Sequence, residues 1–207
     1  MILAGGSSSR LGAEKSLLDF GGRPLLCRTV ELLQQAADEV IVVARDADHA
    51  SRLGELASEA VLAQDSIPGF GPVAGLDAGM RCARGRPVFA TGCDLPFLNL
   101  NVIERLFDFF EQEEGCGAAV PVRGGYIEPL HAVYDRERML SACEGALEKG
   151  ERRIAAPLRH LRVMSVSVEL LRPLDPQLLT FFNLNTPQDL LEARRLWLER
   201  SSPGAGF

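Results

Sequence analysis

The sequence predicts an α/β fold of Rossmann-like, three-layer type: a mostly parallel central sheet flanked by helices on both sides. Three observations carry this. Short β-type runs alternate with helical patterns along the chain, the order that produces parallel strands joined by crossover helices. The length, 207 residues, is a little above the usual one-domain size but common for a single α/β unit with a substantial core. No internal repeat or linker composition interrupts it. One domain is expected over residues 1–200, with 201–207 as a frayed C-terminal tail.

Taken in order, Met1 to Leu3 opens the first strand, which is short because it breaks into Gly5-Gly6. Leu25, Leu26, Thr29, Val30 and Leu33 then recur at helical spacing behind Pro24, a residue suited to the first helical position. Glu39 to Ala44 and Ala60 to Leu62 read as the next strands, and Val73, Leu76 and Met80 as one helix face behind Pro72. Pro87 to Thr91 is a strand, and Leu100 to Phe110 and Arg136 to Lys149 are amphipathic helices. Between those helices, Ala118 to Val122 and Glu128 to Tyr134 have β character around Gly124-Gly125, which predicts two strands joined by a turn. Val163 to Val168 adds a strand. Thr186, an N-cap type directly before a Pro, announces a last helix from Pro187 to about Arg200.

The segment after the first strand is the most informative of the chain: Gly5-Gly6-Ser7-Ser8-Ser9-Arg10-Leu11-Gly12-Ala13-Glu14-Lys15. Glycines that present backbone N–H groups, with one planar guanidinium and one ammonium, form a loop suited to wrapping a polyphosphate. Such a loop belongs to a nucleotide-handling enzyme. It is no P-loop, because Ala13 and Glu14 separate Gly12 from Lys15, and Gly69-Phe70-Gly71 with Gly75 has the wrong spacing and place for a dinucleotide fingerprint. In open α/β sheets ligands bind at the carboxyl ends of the strands, where this loop, Asp65 and Asp94 are all expected.

Bulk properties exclude several classes. The formal net charge is −6, and the 22 basic residues are dispersed, so there is no electrostatic footprint for nucleic acid. No apolar run approaches membrane-spanning length and the start lacks the pattern of a secretory signal, so a cytoplasmic protein is expected. The five cysteines form no C-x-x-C pair and read as reduced thiols. Cys93 is read as packing rather than chemistry, and His131 as a hydrogen-bonded structural residue rather than a base.

The opening loop, together with Gly71-Pro72-Val73-Ala74-Gly75-Leu76, Cys93-Asp94-Leu95-Pro96-Phe97-Leu98, Pro129-Leu130-His131-Ala132-Val133-Tyr134 and Asn183-Leu184-Asn185-Thr186-Pro187, resembles the molybdenum cofactor guanylyltransferase family of nucleotidyltransferases in the family's order and over nearly the whole chain. The resemblance implies a sheet of the nucleotide-diphospho-sugar transferase type. It also implies an activity, transfer of GMP from GTP to the phosphate of molybdopterin (the molybdenum cofactor) with release of pyrophosphate and with Mg²⁺ as cofactor. By the same resemblance Leu3, Ala4, Gly5 and Gly6 meet the nucleotide, Arg10 and Lys15 neutralise the triphosphate, and Asp65 contacts guanine. Asp94 becomes the metal ligand, although an Asp before Leu95-Pro96 also suits a turn cap. Asn183 and Asn185, whose amides share one face of an extended segment while Leu184 faces the other way, are assigned to the pterin; Arg152 and Arg153 are further candidates for its phosphate. Partners implied are GTP, molybdopterin, and molybdenum-insertion and apoenzyme-chaperone proteins, with no nucleic acid and no membrane. The readings left open are a cytidylyltransferase acting on the same pterin, a sugar-phosphate nucleotidyltransferase and a non-catalytic GTP- or cofactor-binding chaperone. Only Met1 and Ile2 precede Leu3-Ala4-Gly5-Gly6, so the first strand is expected to begin almost at its functional end.

Overall fold

Alternation of buried side chains to opposite faces explains the three layers. In the computed structural model, which describes residues 1–5 and 14–201, Val40, Val42 and Ala44 pack on one side of the sheet with Leu26, Val30, Val102 and Leu106, whereas Ile41 and Val43 pack on the other with Val73, Leu76, Met139 and Cys143. A strand buried on both faces reads as a continuous apolar run, which is how this strand looks in the sequence.

The parallel half of the sheet contains β1 (Ile2–Leu3), β2 (Ile41–Ala44), β3 (Val61–Gln64) and β4 (Pro87–Gly92). β1 lies between β2 and β4, with Ile2 opposite both Val42 and Thr91, and β3 extends β2. The connections are α1 (Leu25–Leu33), α2 (Ala47–Leu56) and α3 (Pro72–Cys82). The chain therefore winds outward from β1 through β2 to β3 and then crosses back to β4. That reversal opens a crevice at the carboxyl ends of β1 and β4.

Beyond α4 (Leu100–Gln112) come β5 (Ala118–Arg123), β6 (Tyr126–Ile127), β7 (His131–Asp135), α5 (Arg136–Glu148), the short α6 (Ala155–Leu158), β8 (Val163–Ser167) and α7 (Pro187–Ser201). The order along the sheet is β3-β2-β1-β4-β7-β5-β6, with β8 parallel to β5. β7 runs antiparallel to both β4 and β5.

Most expected elements are present, with corrections. The turn at Gly124-Gly125 does join an antiparallel pair, with φ of 57° and 84° that glycine adopts freely. The strand expected over 128–134 starts only at His131, however, as β7, and the turn's partner for β5 is the separate short β6. Pro129 has no N–H to give a ladder, and its carbonyl instead accepts a 2.6 Å hydrogen bond from Tyr134 Oη. The sequence reading missed α2 altogether, and α7 runs one residue into the expected tail; residues 202–207 lie outside the described ones. Thr186 does cap α7: its Oγ1 accepts from Asp189 N at 3.2 Å while Asp189 Oδ2 accepts from Thr186 N at 2.8 Å, a reciprocal capping box. α7 docks through Ala193 and Trp197 on Phe20, Leu25 and Leu184. No helix among the described residues is long and apolar enough to cross a membrane.

Candidate active site

A cleft of about 590 Å³ opens at the carboxyl ends of the parallel strands, lined by Leu3 at the end of β1 and Gly5 beyond it, Arg45 and Asp46 after β2, Asp65 after β3, Gly71, Pro72 and Gly75 at the start of α3, Gly92 at the end of β4 with Cys93 and Asp94 beyond it, and Lys15. The sheet reversal thus brings together residues far apart in sequence. Of the residues expected at the site, Leu3, Gly5, Lys15, Asp65 and Asp94 line this cleft, and Ala4 is buried beneath it with its N–H donating to Val43 O at 2.9 Å. Gly6 and Arg10 lie outside the described residues.

Lys15 is the junction. Its Nζ is 2.8 Å from Asp94 Oδ2 and 3.0 Å from Asn185 Oδ1, tying the end of the opening loop to the end of β4 and to the entry of α7. Leu184 N donates to Asp94 O at 2.9 Å, so backbone as well as side chains fasten the Asn-Leu-Asn segment beside Asp94. Asp189 holds Asn185 in turn, accepting its N–H at 2.9 Å, and these backbone donors keep the Asp189 carboxyl below the usual range. Leu184 is fully buried, as the two-residue alternation requires. The two asparagines are nevertheless not equivalent: Asn183 Nδ2 donates to Phe181 O at 3.3 Å, a local bond, and only Asn185 reaches Lys15. Neither lines the cleft itself. Arg152 stands over the Phe70 ring, 5.1 Å from its centroid, beside the cleft's outer loop.

Asp65 differs from Asp94. Its carboxylate is half-buried between two glycines: a Cβ added at Gly75 would come 3.1 Å from Asp65 Oδ1 and one at Gly5 3.4 Å from Oδ2. No hydrogen bond to this carboxylate comes from the described residues, and burial, with Asp46 adding repulsion, raises its pKa to about 6. Its oxygens are thus without a hydrogen-bond donor from the described residues while facing the cleft. At Asp94, Gly92 is required, since a Cβ there would meet Asp94 Oδ1 at 2.5 Å.

Among the described residues no group of three or more His, Cys, Asp or Glu converges as a metal cage. A hard dication held by one carboxylate plus substrate phosphates needs none, and Asp94 Oδ1 has no hydrogen-bond partner among the described residues, leaving an oxygen for such a contact. The residues present fit Mg²⁺ on those terms. Cys93 is buried and its thiol is pushed up to about 12 by burial and by the adjacent Asp94 charge, which removes it as a nucleophile. His131 is buried between Phe89 and Phe181, its Nε2 3.3 Å from Thr180 Oγ1, and burial lowers its pKa to about 3, so it stays neutral. It takes no part in the cleft.

The sequence reading missed Arg45, Asp46 and the residues of α2 behind them. The only signal available was Asp46 as an N-cap type, and its Oδ1 does accept from His49 N at 2.7 Å.

Residues 1–163 match the family model described as the MobA-like NTP transferase domain. A protein of Methanosarcina mazei named "Probable molybdenum cofactor guanylyltransferase" is 36% identical over 198 residues, 92% of this chain and 87% of its own. The crystal structure of molybdopterin-guanine dinucleotide biosynthesis protein A from Archaeoglobus fulgidus superposes with a TM-score of 0.83 at 33% identity, covering 96% of this chain and 97% of the other. The fold alone is shared with 2-C-methyl-D-erythritol 4-phosphate cytidylyltransferase from Thermus thermophilus, at TM-score 0.66, 21% identity, and 95% and 96% coverage. The chain belongs to the MobA-like NTP transferase family and, within it, groups with the molybdenum cofactor guanylyltransferases.

Proposed function

We propose that this protein transfers GMP from GTP to the terminal phosphate of molybdopterin, with Mg²⁺ bound at Asp94. One observation carries the reading beyond simple nucleotide binding: the Lys15 ammonium lies between Asp94, on the nucleotide side of the cleft, and Asn185, on the segment assigned to the acceptor. A cation shared by both sides is what a two-substrate phosphoryl-type transfer requires, because the charge to be neutralised lies where the two phosphates meet.

In this reading Asp65 accepts hydrogen bonds from the guanine N1–H and amino group, which lets the site discriminate against bases that lack that donor edge. Gly5 and Gly75 place no side chain of their own against that carboxylate, and the space at Gly75 is taken by Leu3. An oxygen of the pterin phosphate forms the new bond to the α-phosphorus as the bond from that phosphorus to the bridging oxygen of pyrophosphate breaks, and the pyrophosphate leaves with both electrons. A phosphate is already ionised at neutral pH, so no side-chain base is needed, in keeping with the absence of a titrating histidine from the described cleft lining. Mg²⁺, bound with the triphosphate, would supply charge neutralisation of the phosphate oxygens. Asp94 would hold it, and Lys15 would neutralise the triphosphate where the acceptor phosphate meets it.

Purified protein incubated with GTP, Mg²⁺ and molybdenum-loaded pterin is expected to release pyrophosphate in step with dinucleotide formation. Release with CTP alone would move the chain to the cytidylyl branch. Nucleotide binding with no pyrophosphate from any pterin acceptor would leave the non-catalytic chaperone.

A further inference from the structure

Glu14 immediately precedes Lys15, and its carboxylate points away from the cleft toward α2. There it meets Arg52 Nη1 at 3.2 Å, Arg45 Nη2 at 3.8 Å and Ser16 Oγ at 3.2 Å, and His49 Nε2 lies against its Oε1. His49 is fully buried. Its Nδ1 accepts the Arg45 N–H at 3.2 Å, so in the neutral ring the proton sits on Nε2, facing Glu14. Burial, against the pull of Glu14, keeps this ring below the ordinary imidazole range and therefore neutral. Among the described residues Nε2 has no partner in hydrogen-bond geometry, so its approach to Glu14 Oε1 is the one polar contact available to it. The first two turns of α2 thus turn a buried neutral ring N–H, from His49, and an exposed cation, Arg52, toward a single carboxylate. That carboxylate is one residue from the ammonium that joins Asp94 to Asn185.

Lys15 has a long stem, and an ammonium on such a stem visits many positions unless its backbone is fixed. The 3-10 turn over Lys15–Leu17 is too short to fix it, and no side chain caps that turn. We propose that Glu14 and His49 form a latch that positions Lys15: both are positioning residues that act on the nucleotide through the Lys15 ammonium rather than by touching it. The inference rests on the transfer reading for the task of Lys15, but the latch itself is read from nucleotide affinity.

The test is a double-mutant cycle in the full chain, with Glu14→Ala, Lys15→Ala and the double variant, reading the GTP dissociation constant by calorimetry in the presence of Mg²⁺ and the melting temperature in parallel. Glu14→Ala is expected to weaken GTP binding about 10-fold when Lys15 is present and less than about 2-fold when Lys15 is already Ala, because residues acting through one group are strongly non-additive. Equal losses in both backgrounds would overturn the latch and make Glu14 merely structural. His49→Gln, which keeps an N–H donor, is expected to stay within about 3-fold of wild type, while His49→Ala reproduces the Glu14→Ala loss. Should His49→Ala fail to fold, the Glu14/Lys15 cycle decides alone. A wild type that binds GTP without transferring it refutes the transfer reading and leaves the cycle interpretable; if only CTP binds, the cycle is run with CTP. Failure to bind either nucleotide overturns both.

Discussion

Replacing Asp94 by Asn changes one oxygen to a nitrogen at the centre of the site. The Lys15–Asp94 contact is 2.8 Å, with side-chain exposures of 17% and 21%. At an effective dielectric of about 20 the gross attraction at that distance is about 6 kcal/mol, most of it offset by desolvating two ions and ordering the lysine stem. The Asn oxygen still accepts from Lys15, and the backbone bond from Leu184 N to Asp94 O is untouched. A net stability loss of about 1–2 kcal/mol follows, which lowers the melting temperature by about 2–8 °C in a domain of this size. Turnover should fall far more, by about 10²-fold or more, because an oriented charge at the reacting centre is gone, and the Mg²⁺ concentration needed for half-maximal rate should rise. Pyrophosphate release at saturating GTP across an Mg²⁺ titration, alongside a thermal melt, measures both effects. A variant with near wild-type turnover and unaltered Mg²⁺ dependence would refute the metal role, leave Asp94 as a turn residue, and transfer the search for the ligand to Asp65.

Asp65→Asn should stabilise the free protein while disabling it. Because the folded pKa is raised to about 6, the stability that Asp65 contributes is fully present below about pH 4 and is lost as pH rises to 6. Discounted for the solvent that still reaches this half-buried group, the neutral amide gains on the order of 1 kcal/mol at pH 7, seen as a higher melting temperature, and weakens GTP binding about 10-fold or more; a melting temperature no higher than wild type at pH 7 would sink this account. In wild type, GTP affinity should fall as pH drops below 6. Gly92→Ala places a methyl 2.5 Å from Asp94 Oδ1, so a loss of turnover of about 10-fold is expected from displacement of that carboxylate, and unchanged kinetics would show that Asp94 has room to spare. Thr186→Ala removes the cap of α7 at a cost of about 1 kcal/mol in a chemical melt, yet turnover should stay within about 3-fold because Asp189 still holds Asn185.

What the sequence made legible were features set by local chemistry. Pro24, Pro72 and Pro187 stand beside or at the start of α1, α3 and α7, and the apolar runs of β2 and β4 are strands. α2 was illegible because its buried stripe is only His49, Ala50 and Leu53, with Gly54 inside the helix; a helix so short of apolar residues announces itself by its cap alone. The insertion of β7 between β4 and β5 was equally hidden, since alternation along a strand fixes which face is buried and not which strand lies alongside. At the site, Lys15, Asp65 and Asp94 were recognisable by motif, but their different environments were not. Those depend on burial and on neighbours from other strands, such as Asp46 beside Asp65. The supporting carboxylate Glu14 was visible only as a spacer between Gly12 and Lys15, and nothing in the sequence linked it to His49, 35 residues away.

The charges around the cleft separate the tasks of its two central carboxylates. Its described lining holds Asp46, Asp65 and Asp94 against Lys15 and Arg45, an unfavourable balance for a bare polyphosphate in a protein whose net charge is already −6. A carboxylate facing phosphates is tolerable only with a cation between them, and that is the condition supporting Asp94 as the holder of Mg²⁺ in the proposed reaction. Asp65 meets a different condition. Burial raises its pKa, Asp46 adds to the cost of its charge, and no cation among the described residues is hydrogen-bonded to it. The partner that suits it is a neutral edge bearing two donors, which guanine has and the triphosphate does not. In the proposed reaction Asp94 and Lys15 would therefore serve the phosphate end of the cleft and Asp65 the base end, so exchanging the nucleotide's base should be felt at Asp65 and removing Mg²⁺ at Asp94.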